Sequence, residues 1–238
     1  QRALDTDIND ATIRVLKRFG CEIVISEGQG CCGSLSHHMG KTCDAQSAAI
    51  KNIDAWYSEL SNNGLDAIVI NTSGCGTTVK DYHHMFQGTE HEEKAKVIAG
   101  LTKDISEILV ELELPDRAEN DINVAYHSAC SLQHGQQISN SPKDMLKKCG
   151  YKISEPKNSH LCCGSAGTYN LLQPKISQEL KNRKIQSLEA KKPDIIAAGN
   201  LGCMMQISSS TNIPVVHTVE LIDWASGGPK PNKLNDKH

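Results

Sequence analysis

The sequence predicts an α/β protein of two tandem repeats, each a small, mostly parallel sheet flanked by helices. Three observations predict it. Segments with apolar residues at helical spacing alternate with short apolar runs of strand length, the order expected of βαβ units and a parallel sheet. A Cys-Cys-Gly-Ser stretch occurs twice, at Cys31–Ser34 and Cys162–Ser165. Each copy is followed at a similar interval by one more cysteine behind an apolar run, Cys32 to Cys75 over 43 positions and Cys163 to Cys203 over 40. The repeats divide near Pro115, into residues 1–115 and 116–238.

In order, residues 7–19 read as a helix with Ile8, Ala11, Val15, Leu16 and Phe19 on one face and Gly20 as its stop. Cys21 to Ile25 reads as a short strand, and Glu27-Gly28-Gln29-Gly30 then breaks the chain ahead of Cys31 and Cys32. A long helix is expected from Thr42 to Leu60, closed by Asn62-Asn63-Gly64. Asp66 to Asn71 is a strand whose apolar run suits burial on both faces. It leads into Ser73-Gly74-Cys75-Gly76, and a helix is expected over 104–112, ahead of Pro115. The second half repeats the theme. Strands at 122–126, 151–153 and 195–198 lead towards Cys130, the Cys162–Cys163 pair and Cys203. Helices are expected at 142–148, at 218–225, and from Pro174 with Ile176, Leu180, Ile185 and Leu188 inward. Val215-Val216 is a last short strand, and the tail from Gly227 reads as loose.

The totals narrow the function. With 25 basic and 28 acidic residues and a formal charge of −3, the chain lacks the basic footprint of a nucleic-acid or membrane-surface binder. No apolar run approaches the roughly 18 residues of a spanning helix. Ten cysteines in 238 residues point to a disulfide framework or to metal sites. Disulfide frameworks favour small, loop-rich chains, so regular helices and strands favour metal. Adjacent cysteines pair poorly with each other, but both can turn towards a shared centre. In open α/β sheets ligands gather beyond the carboxyl ends of the strands, where loops bring Cys130, Cys162, Cys163 and Cys203 together. Four thiolates there suit Zn²⁺ or an iron–sulfur cluster. Cys130 precedes Cys162 by 32 positions; the same interval ahead of Cys31 falls about two residues before Gln1. The first repeat is therefore expected to carry a three-cysteine remnant, Cys31, Cys32 and Cys75, and the chain to start inside a longer protein.

These repeated segments resemble the cysteine-rich CCG domain of heterodisulfide reductases and related redox proteins. The stretches Tyr126–Gly135 (YHSACSLQHG), His160–Tyr169 (HLCCGSAGTY), Asn52–Trp56 (NIDAW) and Thr72–Gly76 (TSGCG) are similar to iron–sulfur subunits of glycolate oxidases. The resemblance implies an electron-transfer subunit with a [4Fe–4S] cluster, passing electrons from a flavin (FAD) subunit that oxidises glycolate to glyoxylate. It also implies an N-terminal ferredoxin-like domain outside this chain and a cytoplasmic place, soluble or peripheral on the membrane. One departure stands out. The heterodisulfide reductase pattern ends each motif in Cys-x-x-Cys, whereas Cys203 is followed by Met204-Met205-Gln206 and Cys75 by Gly76-Thr77-Thr78. Disulfide-reducing chemistry of that kind is thus not implied. Two alternatives remain open: a zinc-stabilised docking module of the same complex, or an electron carrier for lactate or glycerol 3-phosphate oxidation.

The remaining candidates have bland readings beside the functional ones. Cys21, Cys43 and Cys149 lack repeat partners and read as packing residues. His127, His134 and His160 lie near the expected ligands and could bind metal or hydrogen-bond sulfur, but their default is a polar loop. His37, His38, His83 and His84 read as solvated. Lys181, Arg183, Lys184, Lys191 and Lys192 could form a docking face, but their default is a solvated helix surface. No general base or nucleophile stands out, so no catalytic residue is assigned. The repeat predicts that Cys163→Ser abolishes metal binding in the second half while Cys149→Ser leaves metal content unchanged. Metal analysis of the two purified variants checks this, and full metal in Cys163→Ser would remove that residue from the site.

Overall fold

The structure, a computed structural model, describes residues 3–235. Its first half contains helices α1 (Asp7–Arg18), α2 (Ser34–His38) and α3 (Thr42–Asn63), strand β1 (Ile68–Ile70), helices α4 (Ser73–Lys80), α5 (Tyr82–Met85) and α6 (Glu92–Leu101), strand β2 (Thr102–Asp104) and helix α7 (Ile105–Glu111). The second half contains β3 (Asn123–His127), a π-helical turn at Ser131–Gly135, α8 (Ser141–Lys148), β4 (Lys152–Ser154), α9 (Tyr169–Leu172), α10 (Pro174–Glu189), β5 (Ile195–Ala198), α11 (Leu201–Ser208), β6 (Val215–His217) and α12 (Thr218–Ala225). The alternation expected of an α/β chain is present, and both sheets are parallel throughout. Two compact units form, residues 24–104 in one and residues 1–23 with 105–238 in the other. This division differs from that of the sequence repeats, because α1 packs with the elements of the second half. Among the described residues no helix is long and apolar enough to cross a membrane.

In the 24–104 unit, β1 and β2 pair in parallel with Ile68 opposite Thr102. Ile53 and Trp56 from α3, Val79 from α4, Tyr82, Phe86, and Ala95 and Ile98 from α6 close the core around Ile68. Strand β2 has no counterpart among the expected elements, because Thr102-Lys103-Asp104 carries no apolar run. The strand expected at Cys21–Ile25 is not formed among the described residues, and Val24 and Ile25 are exposed. Its apolar run has no ladder partner and no layer to cover it.

In the other unit the sheet runs β4-β3-β5-β6. Chain order reverses beside β3: β4 is laid on one side of it and β5 on the other. Such a reversal opens a crevice beyond the carboxyl ends of the strands. All four residues of β5 are buried, as their apolar run requires. Ile185 and Leu188 of α10 point into the core as expected, but Ile176 is exposed in the first turn of that helix, away from the sheet. The tail also differs from expectation. Asn232–Leu234 forms a 3₁₀ turn with Leu234 buried, held by Asn232 donating to Asp7 at 2.8 Å and by an ion pair of Lys233 with Asp5. The end of the tail, residues 236–238, lies outside the described ones.

Helix α1 buries Ile8, Ala11, Val15 and Leu16 and is clamped to α12 through one carboxylate. Arg14 reaches Asp223 at 2.7 Å and Arg18 reaches it at 3.0 Å, and the Asp223 side chain is only 1% exposed. Two charge-assisted bonds on a buried acceptor carry more weight than surface pairs. Asp223→Ala is expected to lower unfolding stability by about 2 kcal/mol or more, read from the midpoint of urea unfolding. An unchanged midpoint would show that the apolar face of α1 suffices.

Candidate metal centre

Four of the five cysteines of the second half are delivered by the ends of three adjacent strands. Cys130 lies three residues beyond β3, at the head of the π-helical turn. Cys203 is the third residue of α11, directly after β5, and its N–H donates to the Asn200 side chain at 3.2 Å. A helix N-terminus favours negative charge and so favours a thiolate. The Cys162–Cys163 pair follows β4 in a turn fixed at Gly164, whose φ of +90° is costly for any residue with a side chain. Ser177 Oγ donates to the Gly164 carbonyl at 2.8 Å, and Gln206 donates in turn to Ser177 Oγ at 2.9 Å. The Gly164 N–H points back at Cys162 Sγ, 3.3 Å away. Glycine is required here for shape as well as φ, since an added Cβ would lie 2.4 Å from the Ser177 carbonyl oxygen.

The four sulfurs form one hydrogen-bonded chain. Cys162 accepts from Cys130 and Cys163, which pulls its thiol pKa down to about 2. Cys203 accepts from Cys163, and that bond together with the nearby His127 lowers its pKa to about 5 despite burial. The two donors move the other way. Cys130 is pushed up by its bond to Cys162 and then by burial, and Cys163 by its bonds to Cys162 and Cys203 and then by burial. Cys162 and Cys203 are thus the sulfurs the fold favours as thiolates, and Cys130 and Cys163 those it favours as thiols. His127, the last residue of β3, is 1% exposed, and a ring nitrogen lies within 4.8 Å of the Cys163 and Cys203 sulfurs. Neither ring nitrogen finds a nitrogen or oxygen partner among the described residues, and the ring acts instead on the Cys203 sulfur. A buried imidazole set against sulfur is accounted for when a charged group fills the centre. Four sulfur donors with no carboxylate among them suit Zn²⁺ or an iron–sulfur cluster.

The 24–104 unit brings Cys31, Cys32 and Cys75 together in the same style. Cys75 is the third residue of α4, directly after β1. The Cys32 thiol is raised by its hydrogen bond to Cys75 and then by burial, and Cys75 is lowered by the same bond. Cys31 is exposed. The loop is held from below by Asn52, fully buried, which accepts from Gly30 N–H at 2.7 Å and donates to the Cys31 carbonyl at 3.0 Å. Tyr82 Oη donates to the Cys32 carbonyl at 2.9 Å.

Other candidates fall out differently. Cys149 is buried in the core, where loss of solvent pushes its thiol up to about 11, and Cys43 is exposed. His127 is not the polar loop residue of the default reading, because β3 carries it into the interior. Lys184 is not on a solvated face either. It is 1% exposed, and its ammonium donates to the carbonyls of Ser159 at 3.1 Å and Asn158 at 3.4 Å. Burial lowers its pKa, and the nearby sulfurs of Cys130, Cys163, Cys162 and Cys203 act against that shift. The signal was present in the spacing, since Ser177, Lys184 and Leu188 share one helical face, but a cluster of five basic residues masked it.

The protonation pattern has a measurable consequence, because a metal takes thiolates and displaces the thiol protons. Cys162 and Cys203 are held below the ordinary thiol range, so loading the Cys130–Cys162–Cys163–Cys203 centre with Zn²⁺ at pH 7 is expected to release fewer than four protons. Affinity then falls as pH drops, because protons compete for the same sulfurs. Calorimetry in buffers of different ionisation enthalpy measures the count, and release of four protons at pH 7 would contradict the pattern.

Comparison with known proteins agrees with this arrangement. Residues 1–80 and 124–208 match the cysteine-rich domain family, CCG. The chain is 35% identical over 227 residues, 94% of its length, to the glycolate oxidase iron-sulfur subunit of Escherichia coli (strain K12), and these cover 56% of that protein. It is 31% identical over 231 residues to the probable glycolate oxidase iron-sulfur subunit of Bacillus subtilis (strain 168), covering 51% of it. The chain thus spans about half the length of these two relatives. It is 29% identical over 233 residues to lactate utilization protein A of Geobacillus thermodenitrificans, covering 92% of that protein. The twice-repeated motif, the paired cysteine loops and the match over both halves lead to one conclusion: this chain belongs to the CCG cysteine-rich domain family.

Proposed function

We propose that this chain is the electron-carrying, iron–sulfur part of an oxidoreductase complex that oxidises a small 2-hydroxy acid, with glycolate as the substrate. The observation that carries the reading is the convergence of Cys130, Cys162, Cys163 and Cys203 beyond the ends of three parallel strands. The names of the Escherichia coli and Bacillus subtilis relatives support glycolate. A cluster bound by these sulfurs, of the [4Fe–4S] kind in this reading, takes up and releases electrons singly. The chain's own residues hold the sulfurs, exclude water from Cys163 and Cys203, and set the surrounding charge with His127 and Lys184. No substrate is turned over on this chain. The electrons come from FAD on partner subunits, and a ferredoxin-like domain of the full-length protein is the next carrier, on the cytoplasmic side. Cys31, Cys32 and Cys75 are the ligands of a second, corresponding centre.

A second reading keeps the electron carrier and changes the acid to lactate. It is favoured by the relative named for lactate utilization, which the chain matches over nearly all of its length. Anaerobic purification followed by iron, zinc and acid-labile sulfide analysis tests the shared part. About four iron and four sulfide per filled centre, with a brown chromophore that bleaches on reduction, is the expected result. Zinc without sulfide would instead make the chain a structural docking module. Turnover of the assembled complex with glycolate and with lactate then separates the two acids, and lactate turnover equal to or above that of glycolate would sink the glycolate assignment.

A further inference from the structure

The two cysteine loops rest on the same device. An added Cβ on Gly33 would lie 2.7 Å from the Ala45 carbonyl oxygen, and one on Gly164 would lie 2.4 Å from that of Ser177. Both glycines have positive φ, +81° and +90°. Each Cys-Cys-Gly turn is thus pressed against the backbone of a long helix, α3 or α10, and Ala45 and Ser177 are equivalent points. Two helical turns further along each helix stand Asn52 and Lys184, on the same face as the contact point. Both are buried, at 0% and 1% exposure. Both support the backbone near the cysteine pair, Asn52 at Gly30 and Cys31, and Lys184 at Asn158 and Ser159. They differ in charge.

A neutral amide suffices to hold such a loop, as Asn52 does. An ammonium holds it only at the cost of being buried, which is tolerated where negative charge compensates. No carboxylate pairs with Lys184 among the described residues. The negative charge in its surroundings belongs to the sulfurs of the centre, each of which favours the ammonium when ionised. We propose that Lys184 is the buried counter-charge of the Cys130–Cys162–Cys163–Cys203 centre and raises the reduction potential of the cluster held there, a role the equivalent Asn52 lacks. A fixed positive charge in a low-dielectric setting stabilises the reduced, more negative cluster over the oxidised one. This inference rests on the iron–sulfur reading above.

The test compares the full-length complex, purified anaerobically, with its Lys184→Gln and Lys184→Arg variants. Iron and sulfide content and the midpoint potential, from titration followed by electron paramagnetic resonance, are the readouts. Glutamine can still donate to the Ser159 carbonyl but carries no charge. Lys184→Gln is expected to keep its cluster and shift the potential of one centre in the negative direction, while Lys184→Arg stays near wild type. Full cluster content with an unshifted potential in Lys184→Gln would overturn the proposal. If Lys184→Gln loses the cluster, Lys184→Arg decides: a cluster at the wild-type potential supports the charge, and loss there too assigns Lys184 to packing and overturns it. Wild-type complex without iron and sulfide would instead overturn the iron–sulfur reading itself.

Discussion

Holding four sulfurs side by side inside a protein is the constraint on which the second half of this chain depends. Thiolates repel one another and lose solvation when buried, so the fold must supply donors and positive ends around them. It does so with three kinds of group. The N-terminal turn of α11 faces Cys203, the Gly164 N–H faces Cys162, and the thiols of Cys130 and Cys163 donate to their neighbours. The strand order β4-β3-β5-β6 follows the same logic, since its reversal beside β3 is what lets three strand ends deliver their loops to one place.

The backbone around the cysteine pairs is as specific as the cysteines. Both turns use a glycine with positive φ, pressed on a helix carbonyl that leaves no space for a Cβ. The turn is then tied down by buried polar groups that bond to its carbonyls: Asn52 and Tyr82 in one unit, Ser177 in the other, with Lys184 bonding the turn that leads in. Buried carbonyls need such partners. Because these partners also sit beneath the sulfurs, the choice between amide and ammonium changes the charge at the centre without changing how the loop is held.

The sequence by itself determined the class of the fold, the repeat and the cysteines that matter. Alternating helical and strand patterns made a parallel sheet the expectation, and the doubled Cys-Cys-Gly-Ser made Cys130, Cys162, Cys163 and Cys203 one candidate centre, because period, glycine punctuation and cysteine spacing are local signals. Tertiary structure alone decided the rest. The segment Cys21–Ile25 is strand-like in sequence and unformed for want of a ladder partner, while β2 forms from Thr102-Lys103-Asp104 because β1 offers one. The residues hardest to read were His127 and Lys184. A histidine in a polar stretch and a lysine in a basic helix look solvated, because sequence reports what a residue is and not which atoms from distant segments surround it. Burial beside four sulfurs is a property of the packed chain, and it is burial that turns those two side chains into parts of the centre.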